Sequence, residues 1–357
     1  MHNTGPMYQF SQVKLIMNHS NVFQLVASVT GESRAQWLFE TMEVTPALLK
    51  TSLNVSRAEV AQAMNMVLFS DLLERVPEGA AYVNDAKAMG RKIVFDHGAL
   101  RTVVSSAGEL PSGHLSFDRI LKPLGFTIAA QYPLPRLKML GRAYAHEDMP
   151  EHISQFFVSE LYVDQFSTSF QTVANALMAT NKDPLTALSK TLLQDLAQTK
   201  TLSVELAKLL LPNLIECFGV HHDMVSRHDY ELLLNESAEM AWISTEGSAY
   251  NHVTDRVPDV MALSEEQRQA GRTIKDTVEV SANGRVRQTA YKAAMIERPM
   301  RDESNAVVLY AVPGSFYEFI SRDCYINDQG ETALDLSFDS GNATGIFKMT
   351  DAGKRAA

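Results

Sequence analysis

Two of the ten histidines in this 357-residue chain sit in matching contexts. Phe95-Asp96-His97-Gly98-Ala99-Leu100-Arg101 and Tyr250-Asn251-His252-Val253-Thr254-Asp255-Arg256 both read aromatic, Asp or Asn, His, three residues, Arg. They lie 155 residues apart, room for a whole strand–helix–strand unit, so the chain reads as two similar halves with one histidine each. A carboxylate completes the set. Glu318, in Ser315-Phe316-Tyr317-Glu318-Phe319-Ile320-Ser321-Arg322, shares one face of an extended strand with Phe316 and Ile320. A carboxylate among apolar neighbours is costly to bury unless something positive satisfies it, and a divalent metal does so. Two His and one carboxylate leave coordination positions open, which suits non-haem Fe(II) that binds substrate and O2 together. Both imidazoles must be neutral, so metal binding should weaken as pH falls through the histidine range.

Arg101 follows His97 by four residues and points the same way on helix or strand, though an extended strand separates their Cβ atoms by roughly 13 Å. It reads either as the fork that grips a substrate anion or as half of a structural salt bridge. Arg256 holds the same place in the second half and ranks below it. Glu160, in Phe156-Phe157-Val158-Ser159-Glu160-Leu161, reads as the first-half counterpart of Glu318: a sheet-edge charge, a group supporting a ligand, or a vestigial ligand. His221 and His222 read as surface residues, and His114, His146, His152 and His228 as solvated or capping groups.

Other chemistries lack their motifs. There is no Gly-x-Gly-x-x-Gly, Gly-x4-Gly-Lys-Ser/Thr, Gly-x-Ser-x-Gly, Cys-x-x-Cys or His-Glu-x-x-His. Cys217 and Cys324 read as structural residues, form no disulfide framework and fit a reducing cytosol. The formal charge of −10 argues against a nucleic-acid or anionic-membrane partner. No stretch reads as a secretory signal or a membrane span, so a soluble cytoplasmic protein is expected.

The elements that must position these residues follow an α+β order. Residues 1–30 are weakly patterned and read as a loosely held arm. A helical segment over 31–90 shows three-to-four spacing from Trp37 to Leu72, a capping box at Ser56 and Glu59, and a close at Pro77 and Gly79. The first half spans 91–163: a strand through Ile93–Phe95, a short helix over 117–124, then strands over 126–131, 138–145 and 155–163. Leucines at helical spacing mark 164–245 as a helical insertion. The second half spans 246–348. It comprises a strand at 250–253, a helix over 264–275 capped by Ser264 and Gln267, an Asn283-Gly284 type I′ hairpin, and strands over 307–312 and 315–322. Residues 349–357 read as a frayed tail.

At these residues the sequence resembles the 2-oxoadipate dioxygenase/decarboxylase family, long known as a domain of unknown function and related to the vicinal-oxygen-chelate, glyoxalase-like fold. The resemblance runs from about Leu72 to Phe347. Asp96-His97-x-Ala99-Leu100-Arg101-Thr102, Phe157-Val158-Ser159-Glu160-Leu161, Tyr250-Asn251-His252-Val253-Thr254-x-Arg256-Val257 and Phe316-Tyr317-Glu318-Phe319-Ile320-x-Arg322 carry it, in the family's order. It implies two βαβββ-type modules around one metal, with His97, His252 and Glu318 as Fe(II) ligands and Arg101 holding a substrate carboxylate. It further implies a 2-oxo acid and O2 as small-molecule partners and a reaction that releases CO2 and leaves a 2-hydroxy acid. The chain departs from the family in one respect: the resemblance implies a longer C-terminus, so substrate contacts made by that extra segment are expected to be missing. Two alternatives stay open: an isomerase, lyase or hydrolase using another divalent metal in the same pocket, and a non-catalytic protein that binds a small acid.

Overall fold

The computed structural model describes residues 19–105 and 108–339. The expected tail over 349–357 and the first eighteen residues of the expected arm lie outside them. The rest of the arm is not loose. Ser20 caps α1 (Asn21–Thr30) by accepting from the Phe23 amide, and Val22, Leu25 and Val26 are buried. Next come α2 (Glu32–Thr41), β1 (Asn54–Ser56) and α3 (Arg57–Arg75). The Ser56–Glu59 capping box is present as expected. Pro77 does not close the segment. It occupies the first turn of α4 (Pro77–Ala88), where its missing amide costs nothing, and Gly79 lets that helix close on the Tyr317 ring.

The first half comprises β2 (Phe95–Val104), α5 (Leu115–Leu121), β3 (Phe126–Leu134), β4 (Met139–His146) and β5 (Gln155–Tyr162). The insertion supplies α6 (Thr168–Met178), α7 (Ala187–Thr199), β6 (Thr201–Ser203), α8 (Val204–Glu216), α9 (Arg227–Glu236) and α10 (Ala238–Glu246). Antiparallel pairing of β6 with β1 ties it to the N-terminal helices, and one continuous core joins both to the sheet.

The second half comprises β7 (His252–Arg256), α11 (Val260–Gln269), β8 (Glu279–Val280), β9 (Val286–Ala290), a ribbon of β10 (Met295–Arg301) and β11 (Val307–Pro313), and β12 (Phe316–Arg322). A short pair, β13 (Cys324–Ile326) and β14 (Thr332–Leu334), follows. Two local expectations change. Helix α11 starts earlier, at an Asp259 cap, because that side chain accepts from the Met261 and Ala262 amides. The β8–β9 hairpin forms, but only Gly284 takes a positive φ (+76°), so the turn is not type I′.

Eight strands make one curled sheet in the order β3-β4-β5-β2-β7-β12-β9-β8. That order is a palindrome. Each half places its fourth strand parallel beside its first, β5 on β2 and β12 on β7, and the two first strands meet antiparallel. These are two glyoxalase-like modules joined edge to edge. The two histidine strands therefore lie side by side at the centre, where β2 is buried along almost its whole length.

Close packing of this joint depends on Gly98. A Cβ there would sit 2.3 Å from Cζ of the buried Tyr250 ring. Gly98→Ala is expected to destabilise the protein by about 1–3 kcal/mol through overpacking, read as a lower denaturant midpoint with an unchanged slope.

Candidate metal centre

His97, Ala99 and Arg101 point from β2 to one face of the sheet, and cross-strand registers place His252, Thr254 and Glu318 on the same face. His97 pairs with Thr254, Ala99 with His252, and Thr254 with Glu318. One potential ligand atom from each of His97, His252 and Glu318 lies within 4.8 Å of the other two. Among the described residues they form the one group of three or more such side chains able to hold a metal ion.

The electrostatics fit a cation. Glu318 is fully buried, neither carboxylate oxygen has a hydrogen-bond donor among the described residues, and burial pushes its carboxyl well above the usual range. His252 Nε2 approaches Glu318 Oε2 at 3.1 Å without the alignment of a hydrogen bond, so the two atoms converge on a common point. Burial pushes both imidazoles down, His252 further, with the neighbouring His97 and Arg101 charges adding to it. Both histidines are therefore neutral near pH 7, the form that ligates.

His97 Nδ1 lies 2.8 Å from Asp96 Oδ1. Burial works to raise the Asp96 carboxyl, yet Arg322 and His97 hold it well below the usual range, so it is an anion. It thus accepts from Nδ1–H and leaves the Nε2 lone pair facing the site. A ligating histidine is commonly oriented in this way by a carboxylate. Thr254 Oγ1, 3.1 Å from Nε2, is the hydroxyl that a metal at this nitrogen would displace.

Arg101 lines the same pocket, together with Ala99, Phe157, Ser159, Asn251, Gln288, Phe338 and Asp339. Its guanidinium lies 5.0 Å from the centre of the Trp242 ring, whose indole N–H donates to Gly314 O. Burial lowers Arg101 to about 10, with Glu239 opposing, so it keeps its charge at neutral pH. Arg256 is not its equal. It faces Asp96 at 3.7 Å and donates to Glu151 O, away from the pocket.

Glu160 is not the counterpart of Glu318. It pairs with Thr102, on the opposite face from Arg101, where it accepts from the His114 amide and ring and from Tyr162, and pairs with Arg142 at 2.5 Å. Register assigns the counterpart differently. Gln155 faces His97 as Phe316 faces His252, so Phe157 stands where the second half has Glu318. Gly141 makes room for the Phe157 ring, since a Cβ there would sit 2.5 Å from Cζ. The duplicated scaffold thus carries three ligand-type side chains and one apolar one.

His146 also departs from expectation. It is buried, not solvated, its Nδ1 accepts from the Asp148 amide as a capping group does, and burial pushes it down to about 4. His114 is a partner of Glu160. Cys217 is buried, with its thiol pushed up to about 12 by burial, which fits the structural reading.

Residues 53–349 match the sequence profile of the 2-oxoadipate dioxygenase/decarboxylase family. The chain belongs to this family. A crystal structure provisionally described as a glyoxalase superfamily protein from Ralstonia eutropha JMP134 is 47% identical, with a TM-score of 0.85, covering 90% of this chain and 99% of that one. Two hydroxyglutarate synthases crystallised with 2-oxoadipate share the fold. That from Oryza sativa has a TM-score of 0.63 at 17% identity, covering 87% of this chain and 96% of that one. That from Pseudomonas putida has a TM-score of 0.55 at 18% identity, covering 85% and 75%. No curated protein matches the sequence. No helix among the described residues is long and apolar enough to cross a membrane.

Proposed function

We propose that this family member is an Fe(II)-dependent dioxygenase/decarboxylase that converts a 2-oxo dicarboxylic acid of the 2-oxoadipate type into a 2-hydroxy acid. One 2-oxoadipate and one O2 would give one 2-hydroxyglutarate and one CO2, a balance that needs no outside reductant. The observation that carries the reading is Glu318: a fully buried carboxyl with no donor to either oxygen among the described residues, converging with two neutral imidazoles. The donor set, two nitrogens and one oxygen, fits Fe(II) and other first-row divalent ions. A bound ion would supply Lewis acidity and a template for both reactants.

The protein's own residues do the rest. Asp96 fixes the His97 tautomer, Arg101 orients the acid's carboxylate, and the Phe157 and Phe338 rings give the pocket an apolar wall. Anaerobic loading with Fe(II), followed by 2-oxoadipate and O2, is expected to give one CO2 per O2 consumed. Turnover without O2, or with Zn(II) in place of iron, would instead mark an isomerase, lyase or hydrolase. Tight acid binding with no turnover would mark a binding protein.

The pH dependence should differ from the one expected from histidine alone. Both imidazoles are held neutral by burial, so the proton that must leave on metal binding is the one on Glu318, whose carboxyl is raised. Metal affinity should fall about tenfold per pH unit below that raised value. Calorimetric titration of Zn(II) in buffers of differing ionisation enthalpy should show proton release that grows toward one per ion as pH is lowered in the native protein, and none in Glu318→Gln.

A further inference from the structure

A buried guanidinium stands between the candidate metal centre and the segment that walls it. Arg322 lies at the end of β12, and its side chain is 0% exposed. One edge grips Asp96, Nε at 2.9 Å from Oδ2 and Nη2 at 2.9 Å from Oδ1. The other edge donates through Nη1 to the backbone carbonyls of Asp335, at 2.8 Å, and Ser337, at 2.6 Å. Its plane lies 5.0 Å from the Phe338 ring centre.

Both edges lead to His97. Asp96 accepts from its Nδ1, and the Phe338 ring stands edge-on to its imidazole at 4.8 Å between centres. Other anchors hold the strap over 335–339 at its ends: the Asp335 amide donates to Asp323 O, Asn283 donates to the Asp335 carboxylate, and the Ala282 amide donates to Asp339. The Phe338 ring packs on Tyr132 and Phe157. Asp335 is held by Arg285 and by the Ser337 amide and hydroxyl, and the Phe338 amide donates to Tyr132 Oη.

We propose that Arg322 is a positioning residue that couples the seating of this strap to the orientation of the metal ligand His97, so that filling the metal site steadies the pocket wall. The inference rests on the metal-centre reading above. The physical basis is geometric. A guanidinium is planar and rigid, so its two edges cannot move independently, and Asp96 cannot rotate without tilting the fork that holds the strap carbonyls. Coupling of this kind is reciprocal: whatever fixes His97 tightens the strap, and whatever loosens the strap weakens the hold on His97. Lysine keeps the charge but presents one point donor, so it can serve Asp96 or the carbonyls but not both.

Hydrogen exchange of the full chain, with and without saturating Zn(II), tests this without any turnover. Zn(II) should slow exchange across 335–339 by several-fold or more in the native protein. Arg322→Lys should lose that slowing and bind Zn(II) about 10–100-fold more weakly in chelator competition, the usual cost of disturbing a ligand's support. Asp96→Asn, whose amide oxygen can still accept from His97, should keep more of the affinity yet lose most of the strap protection. Zn(II) that binds without changing strap exchange overturns the coupling and leaves the metal centre intact. Arg322→Lys with native affinity and native protection overturns it equally. A native protein that binds no Zn(II) sinks both readings, and the native-protein arm depends on no variant folding.

Discussion

Glu318→Gln is expected to strip the site of its metal and, at the same time, to raise the stability of the metal-free protein. The first effect follows from ligand chemistry. An amide oxygen is a neutral and weaker donor, and supporting groups alone are worth 10–100-fold in affinity, so loss of the one anionic ligand should exceed about 100-fold. The second follows from burial. Glu318 is completely buried with no donor to either oxygen among the described residues, and its carboxyl is raised by desolvation. A folded-state value above the unfolded one favours folding at low pH, and that contribution is lost as pH rises through the raised value. Near neutral pH the carboxylate is therefore a liability, and a neutral side chain of the same shape should add roughly 1–3 kcal/mol. The gain should vanish near pH 4, where the unfolded chain's carboxyl is itself protonated. Denaturant melts of both proteins with chelator present, at pH 4 and pH 7, separate the two cases. Equal stability at pH 7, or a loss, would show that Glu318 is satisfied by the protein and has no need of a cation.

The same residue shows what the sequence could and could not carry. His97, His252 and Glu318 were legible because duplication repeats a local context, and because a strand's period of two places Glu318 with apolar neighbours. The palindromic strand order explains why the repeated motifs converge. Glu160 was misplaced for an equally local reason. Side chains alternate faces, so an error in alignment between the halves moves a carboxylate from the pocket to the far side, and only the pairing of His97 with Gln155 reveals that Phe157 is the true counterpart. Asp96 and Arg322 sat within the quoted motifs, but nothing in their spacing said that they meet across 226 positions. Phe338 carried no signal at all: it reaches the pocket from an irregular segment after β14. The first residues of α1 looked unpatterned because their partners, α3 and α8, come from distant parts of the chain, and Pro77 looked like a stop because a proline that ends one helix can equally begin the next.

Arg101→Met is expected to separate acid binding from metal binding, leaving Zn(II) affinity within a few-fold of native while weakening a 2-oxo dicarboxylate about 100-fold or more. Arg101 stands four residues along β2 from His97 on the same face, with Ala99 between them, so their Cβ atoms are roughly 13 Å apart. That offset suits the far end of a six-carbon diacid better than the end that shares the metal with its keto oxygen. Arg101 is 1% exposed, its guanidinium still charged with its value lowered to about 10 and seated against Trp242 at 5.0 Å. It is a local positive charge in a chain whose formal charge is −10. Two parallel charge-assisted bonds to a carboxylate are worth about 1.5–3 kcal/mol each, and losing even one would cost more than tenfold. The native protein should therefore prefer 2-oxoadipate to 2-oxohexanoate, which lacks the second carboxylate, by about 100-fold in kcat/KM, and Arg101→Met should erase that preference by losing the diacid alone. Arg101→Lys should recover only part of it, because a buried ammonium offers a point and not a fork. If Arg101→Met weakened the monoacid as strongly as the diacid, Arg101 would be serving the chelated end. If neither acid were affected while stability fell, Arg101 would be a structural group and the anion would be held elsewhere in the pocket.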